Sequence, residues 1–326
     1  MRPALASAHR AVAALLLPVA LTAVQAQPAA DRPVRLVVGF AAGGPSDIVA
    51  RVFADHASRA LHRQFIVDNR PGANAMLATE AVAASPADGG TLLLAATNHT
   101  MIPALYGTRI KFDAVTSFKP VCTLASSATV LVVGPSLKVR SVAEFLAAAR
   151  AKPGTLTYAT PGIGSSPHLA TETLRKATGT SFVHVPYKGA APAVTDLMGG
   201  QVDWSLATVG SVLPYLKSGK LTALAVASRR RSALLPQVPT FDEAGVKDFV
   251  VDTWYGLLAP AATPADMVQA LEKEALAFGA SDAARERLLA AGLEPDSRCG
   301  APFVAQIKRE VQANAQLAKE LDLKAE

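Results

Sequence analysis

The sequence predicts an α/β protein of two lobes, each a mostly parallel sheet flanked by helices, with a ligand cleft between the lobes. Three observations carry that expectation. Strand-like runs alternate with helical periodicities along nearly the whole chain, and the runs are close to continuously apolar, as strands covered on both faces are. Two strands end in Gly/Ser/Thr loops that open directly into helices: VRLVVGFAAGGPSDIVARVFADHASRAL (34–61) and TLTYATPGIGSSPHLATETLRKATG (155–179). Two extended stretches, 129–135 and 250–260, each end in proline and suit a crossing between lobes. Those crossings assign residues 27–128 and 252–326 to lobe 1 and 129–251 to lobe 2, and a hinge of two strands permits closure on a ligand.

The chain opens on a processing signal. Arg2 and Arg10 form a basic region, residues 11–24 are apolar apart from Pro18 and Thr22, and Val24-Gln25-Ala26 supplies small residues for cleavage near Ala26. That run is shorter than the ~20 residues of a membrane span. The expectation is an exported, periplasmic protein without a lipid anchor, since no cysteine stands near the cleavage site. Removing 26 of the 326 residues leaves 300, which suits two domains.

Strands are expected at 34–38, 65–67, 91–96, 129–133, 156–159, 182–185, 202–207, 221–227 and 250–258. Val49, Phe53, Ala57 and Ala60 form one apolar stripe on the first helix, with Arg51, Asp55 and Arg59 elsewhere on its surface. Ser141-Val142-Ala143-Glu144 reads as a capping box. Ser166-Pro167 and Thr263-Pro264 each read as an N-cap followed by an N1 proline. The C-terminal helices, including 303–321, are expected to return to lobe 1.

Composition excludes several classes. The chain is 50% hydrophobic with 6% aromatic residues, which argues for a packed core and against disorder. The formal charge of +6 falls by two without Arg2 and Arg10. The one dense basic run, Arg229-Arg230-Arg231, lacks base-stacking aromatics, so no nucleic-acid partner is expected and the triplet reads as a solvated loop. Cys122 and Cys299 lie far apart in sequence; export permits a disulfide, and two unpaired thiols is the reading favoured without proximity data.

Three loops carry the candidate chemistry. Phe40–Asp47 has paired glycines for close backbone approach, with Ser46 or Asp47 available to cap the helix. Thr160–His168 offers hydroxyls at Thr160, Ser165 and Ser166. Thr97-Asn98-His99-Thr100 is polar where a core strand should simply turn, at the crevice position of an open α/β sheet. Helix N-termini at such loops present unpaired N–H groups and a positive dipole end to an anion. None of the loops contains Arg or Lys, so neutral donors must hold the anion. Neither G-x-x-x-x-G-K-[ST], G-x-G-x-x-G nor G-x-S-x-G occurs at these loops. His56 and His62, six apart, do not stack as a metal pair, and neither metal nor cofactor is expected. His168 beside Ser165 and Ser166 leaves a secreted serine hydrolase as the alternative of another class.

Over nearly all of the mature chain the sequence resembles the substrate-binding receptors of tripartite tricarboxylate transporters, the Bug receptors. The resemblance is carried by RLVVGFAAGGPSDIVAR (35–51), VDNRPGANAMLATEAVA (67–83), FVHVPYKGAAPAVTDLMGGQVD (182–203), KLTALAVASRRRSALLPQVPTFDEAGV (220–246) and WYGLLAPAATP (254–264). It implies a two-lobed periplasmic binding-protein fold, no enzymatic activity, and capture of a small carboxylate for delivery to a membrane permease. A ligand-sensing receptor for a membrane kinase is the further alternative, and a monomer is expected.

Carried residue by residue, the resemblance implies ligand contacts from Gly43, Gly44, Ser46 and Asp47 on one side and Thr160, Ser165, Ser166 and His168 on the other. Phe40, Thr97, Asn98 and Thr208 complete the candidate set. Alanines stand at 41 and 42 where the family commonly has prolines. Ala207-Thr208 stands where the family often has an Asp-Asn pair, which weakens an amino-acid ligand. Phe40 and Tyr187 leave an aromatic acid open, with core packing the favoured role for Tyr187. Asp203 fits a structural role at its strand.

Overall fold

A computed structural model describes residues 32–323. The expected signal peptide and its cleavage site lie outside the described residues. The first half of the chain runs β1 (Val34–Val38), α1 (Pro45–Ala60), β2 (Phe65–Asn69), α2 (Met76–Ala83), β3 (Thr91–Ala96), a 3-10 turn (Thr97–Thr100), α3 (Ile102–Tyr106) and β4 (Phe118–Val133). There follow α4 (Val142–Ala151), β5 (Thr157–Thr160), α5 (Ser166–Thr178), β6 (Val183–Pro186), α6 (Ala190–Met198), β7 (Trp204–Thr208), α7 (Val209–Lys217) and β8 (Thr222–Val226). The chain closes with β9 (Asp252–Pro260), α8 (Ala265–Ala280), α9 (Asp282–Ala290), β10 (Glu294–Pro295) and α10 (Ala301–Glu320).

The strands form one continuous path, β2-β1-β3-β9-β4-β7-β5-β6, with β8 and β10 also pairing to β4. The outer strands are parallel, as expected: β1 with β2 and β3, and β5 with β6 and β7. The centre is not. β9 runs antiparallel to both β3 and β4, and β4 antiparallel to β7, β8 and β10. The reason is the crossing itself: β4 is 16 residues long and belongs to both lobes. Its first part, from Phe118 to Ala128, pairs with β9, and its last part, from Thr129 to Val133, pairs with β7. The return crossing lies beside it, where Thr129 N–H donates to Val251 O at 3.2 Å and Val251 N–H to Ala227 O at 2.8 Å.

Alternate residues of each strand feed opposite faces, so each lobe has two core layers. In lobe 1, Leu36, Val38 and Leu92 pack against Phe53 of α1 and Phe278 of α8. On the other face Val37 and Leu93 meet Ala78 of α2, Trp254 of β9 and Phe303 of α10. In lobe 2, Leu131, Val133, Trp204 and Leu206 pack on Phe145 and Phe241, while Val130 and Val132 face Leu197, Val212 and Leu213. Each fully buried side chain of this kind contributes ~1.5–3 kcal/mol.

Several local expectations shift. The capping box is present, with Glu144 N–H donating to Ser141 Oγ at 3.1 Å, and Glu144 Oε2 accepts from Arg140 N–H rather than Ser141 N–H. Ser165, not Ser166, caps α5. Pro264 is itself the N-cap of α8, and the Thr263 hydroxyl is buried without a partner. Cys122 and Cys299 are joined as a disulfide, against the favoured reading of free thiols. Backbone pairing brings them together: Thr123 N–H donates to Arg298 O and Gly300 N–H to Val121 O, both at 3.0 Å, so the 298–300 segment lies along β4. No sequence period announces a two-residue pairing of that sort.

Candidate functional site

The loop after β1 is shaped by its helix. Gly44 is the N-cap of α1 and Pro45 fills N1, with no side-chain cap. Asp47 instead reaches back, accepting Gly43 N–H at 3.0 Å and Arg51 Nε–H at 2.9 Å. Burial opposes its ionisation, but Arg51 and Gly43 together hold the carboxyl below its ordinary range. A carboxylate so engaged tightens the loop and leaves the first-turn N–H groups of Ser46 and Asp47 without intrahelical partners.

The loop after β5 is braced from beneath. Ser165 Oγ donates to Gly162 O at 2.7 Å and accepts from His168 N–H at 3.4 Å. Gly164 N–H donates to His168 Nδ1 at 3.1 Å, which fixes the neutral tautomer with its proton on Nε2. His168 stacks on His184 with ring centroids 4.4 Å apart, and His184 stacks on Tyr158 at 4.7 Å. Thr160 Oγ1 lies 2.7 Å from His184 Nε2, and the Tyr158 phenol donates to Glu172 at 3.0 Å. Burial pushes His168 down to about 4, and burial together with the neighbouring His168 pushes His184 to about 3.

That stack has a pH consequence. An unfolded histidine ionises near 6.5, whereas His168 stays neutral in the fold until about pH 4. Below pH 6.5 the unfolded chain therefore binds protons that the folded chain refuses. Stability falls as the pH drops from 6.5 towards 4, by about 1.4 kcal/mol per pH unit for a histidine kept neutral, and is independent of these groups above 6.5. Melting temperatures from pH 7.5 to 4.5 should show that decline. His168→Asn, whose Oδ1 can accept the Gly164 N–H, should reduce the slope by about 1.4 kcal/mol per pH unit, with His184 and the buried His99 keeping their own shares; an unchanged slope would remove His168 from the account.

The loop after β3 is the 3-10 turn. Asn98 Nδ2–H donates to Asn74 O at 2.7 Å, Thr97 Oγ1 accepts Trp254 N–H at 3.0 Å, and buried His99 places Nε2 2.8 Å from Ala114 O. Asn74 belongs to a left-handed run, Ala73, Asn74 and Ala75, with φ of 46°, 50° and 70°. Backbone of that kind costs of order 1–3 kcal/mol per residue and persists only where surroundings enforce it.

These loops meet at one cleft that opens to solvent at its mouth. Phe40, Gly44, Ser46, Asn98, Ser165 and Thr208 line it. Gly43, Asp47, Thr97, Thr160, Ser166 and His168 do not; they form the hydrogen-bonded supports just described or, for Ser166, a buried hydroxyl without a partner. Sequence reading missed Pro45, Ala96, Pro161, Pro167, Ala190, Thr253 and Tyr255 in the lining. Thr253 and Tyr255 carried a usable signal: they are two apart on β9, so they share a face, while Trp254 points to Phe303 on the other. Tyr187 is partly buried against the layer of Val130 and Leu213 and donates its phenol to Asp196 at 2.7 Å, and Asp203 accepts from Thr157 N–H at 2.8 Å.

The lobes touch. Ala41 N–H donates across the cleft to Lys188 O at 3.2 Å. A β-carbon placed on Gly43 or Gly44 would lie 3.8 Å from the methyl of Ala191 or Ala190. None of the lining residues carries a cationic side chain. The serines are not bonded to the imidazole of His168, whose Nδ1 is occupied by Gly164 N–H. Among the described residues no group of three or more His, Cys, Asp or Glu is placed to hold a metal, and no helix is long and apolar enough to cross a membrane.

Comparison with known proteins adds the following. The model of the family described as the tripartite tricarboxylate transporter family receptor matches residues 49–323. Protein BugT of Bordetella pertussis is 36% identical over 265 residues, 81% of each chain. The structure of Rhodopseudomonas palustris Rpa4515 with adipate superposes with a TM-score of 0.86 at 33% identity, covering 90% of this chain and 99% of that one. MatC from the same organism, with bound malate, gives a TM-score of 0.82 at 29% identity over 88% and 98%.

Proposed function

The chain belongs to the tripartite tricarboxylate transporter receptor family, and on that basis we propose that it is a periplasmic receptor that captures a small carboxylate and hands it to a membrane permease. The observation that carries the reading is the convergence of two helix N-termini, α1 from lobe 1 and α5 from lobe 2, on one cleft lined without a cation. Neutral donors and helix dipoles hold an anion well enough to capture it and weakly enough to release it. That Rpa4515 was solved with adipate and MatC with malate supports a carboxylate here.

We infer that the described residues within 27–128 and 252–326 move as one lobe against 129–251, about the paired crossings at Thr129 and Val251. The direct contact between Ala41 and Lys188 represents the closed form. The ligand-facing residues are Ser46, Asn98, Ser165 and Thr208, with Phe40 and Gly44 shaping the cavity. The protein acts as a monomer without turning its ligand over. The Cys122–Cys299 disulfide suits an oxidising compartment.

The test is a melting screen of the mature protein, unfolded and refolded to strip carried-over ligand, against mono-, di- and tricarboxylates, aromatic acids and amino acids. A ligand at one hundred times its Kd stabilises by ~2.7 kcal/mol, a rise of several degrees at ~2–4 °C per kcal/mol. A rise confined to one carboxylate class, with the compound recovered unchanged, is expected. A flat response to every acid would refute the reading.

A further inference from the structure

Every polar atom of a buried amide needs a partner, and the one amide side chain lining this cleft leaves its acceptor without a protein donor. Asn98 is 4% exposed and lines the cleft. Its Nδ2 is committed to the carbonyl of Asn74 at 2.7 Å, and because a carbonyl oxygen only accepts, the amide cannot be turned the other way round. Its Oδ1 is therefore fixed as an acceptor, and no protein group donates to it. Thr253, 4% exposed on the same lining, likewise has an unpartnered hydroxyl. Asn74, whose carbonyl Asn98 engages, has neither amide atom bonded.

A carboxylate cannot satisfy Asn98, because an ionised carboxylate has no proton to give. An amine is disfavoured as the donor, because the lining residues include no carboxylate to neutralise it. A neutral donor attached to an otherwise apolar body matches the rest of the wall, where Phe40, Ala96, Pro161 and Ala190 stand. We propose that Asn98 is the specificity-determining residue of this cleft and that it selects hydroxy acids, its Oδ1 accepting the ligand's hydroxyl proton while the helix N-termini hold the carboxylate. The proposal rests on the carboxylate reading above and names the substrate class within it. A deoxy acid leaves Asn98 Oδ1 desolvated and unpaired, an asymmetry that makes such sites discriminate more strongly than apolar ones.

The test uses acids paired by one hydroxyl: lactate with propionate, 3-hydroxybutyrate with butyrate, mandelate with phenylacetate, and malate with succinate. Calorimetric Kd values are measured on the refolded full-length mature protein and on Asn98→Ala. In the unsubstituted protein the hydroxy member of at least one pair should bind about 10- to 100-fold more tightly than its partner. Asn98→Ala should bring that ratio below about 2-fold by weakening the hydroxy acid alone. Ratios near 1 in every pair that binds would mean that water serves Oδ1, and would overturn the proposal. So would a ratio that survives Asn98→Ala. Should that variant not fold, Asn98→Gln keeps the amide but displaces it by one methylene, and the same fall in ratio is required. If no acid of any pair binds, the carboxylate reading fails first; if acids bind without regard to the hydroxyl, only this inference does.

Discussion

Replacing Cys122 and Cys299 together by alanine should lower stability by about 3–5 kcal/mol and the melting temperature by about 6–20 °C. The bridge joins residues 177 apart, and cross-links that close long loops restrict the unfolded chain most. Cys122 is fully buried on β4, and Cys299 sits in the segment leading to α10, so the bridge fastens the last part of the chain to the strand shared by both lobes. Neither cysteine lines the cleft, so carboxylate affinity should stay within about 3-fold, below the scale of a lost hydrogen bond. Calorimetry with and without a phosphine reductant, beside the double alanine variant, makes the measurement. Coincident melting curves for the oxidised and reduced protein would show that the bridge contributes nothing.

Gly189→Val should weaken every ligand by about 10- to 100-fold while leaving their order of preference intact. Gly189 has φ +141° and ψ 172°, a region that L side chains rarely enter. That strain is present whether the lobes are open or closed, so it lowers the melting temperature of the ligand-free protein. On the closure proposed above, a second penalty exists only in the closed form. A β-carbon at 189 would lie 3.1 Å from Ala41 N and 3.3 Å from Ala41 Cβ, across the cleft, and valine would add two more carbons there. A ligand that binds the closed form loses affinity in proportion to the closed population. Stopped-flow binding and calorimetry separate the two effects. A lower melting temperature with unchanged Kd would mean that Gly189 matters to the fold but not to closure.

Much of this architecture was legible in the sequence. The bounds of β1 and β3 match expectation because both strands are largely buried on two faces and read as apolar runs, interrupted in β1 by the exposed Arg35. The two glycine loops stood out because a strand, a glycine pair or triplet and a helix succeed one another without spacing. The first part of β4 did not, since Lys119 to Ala128 is rich in small and polar residues; pairing with β9 and β10, not local propensity, extends it. The site divides in the same way. Residues that present backbone or a short hydroxyl to the cleft, such as Gly44, Ser46 and Ser165, follow from loop chemistry. His168 looked like a ligand group because its position in the loop is visible, whereas its bond to Gly164 N–H and its stacking on His184 depend on three-dimensional packing. Tyr255 was hidden for the opposite reason, as a core-looking aromatic in a core strand whose inner face is the cleft wall.

The position of β9 has a consequence for how the protein assembles. In sequence it follows every other long strand, yet in the sheet it lies between β3 and β4. During synthesis the β1–β3 unit therefore emerges with one edge unpaired, and it stays so until about 150 further residues have been made, while non-local pairings of this range are slow to form. The strands β5 to β8 meet no such delay, because their partners are all close at hand. Assembly thus ends in the middle of the sheet, by insertion, and a chain halted before Pro260 carries an open β3 edge that invites pairing with another chain.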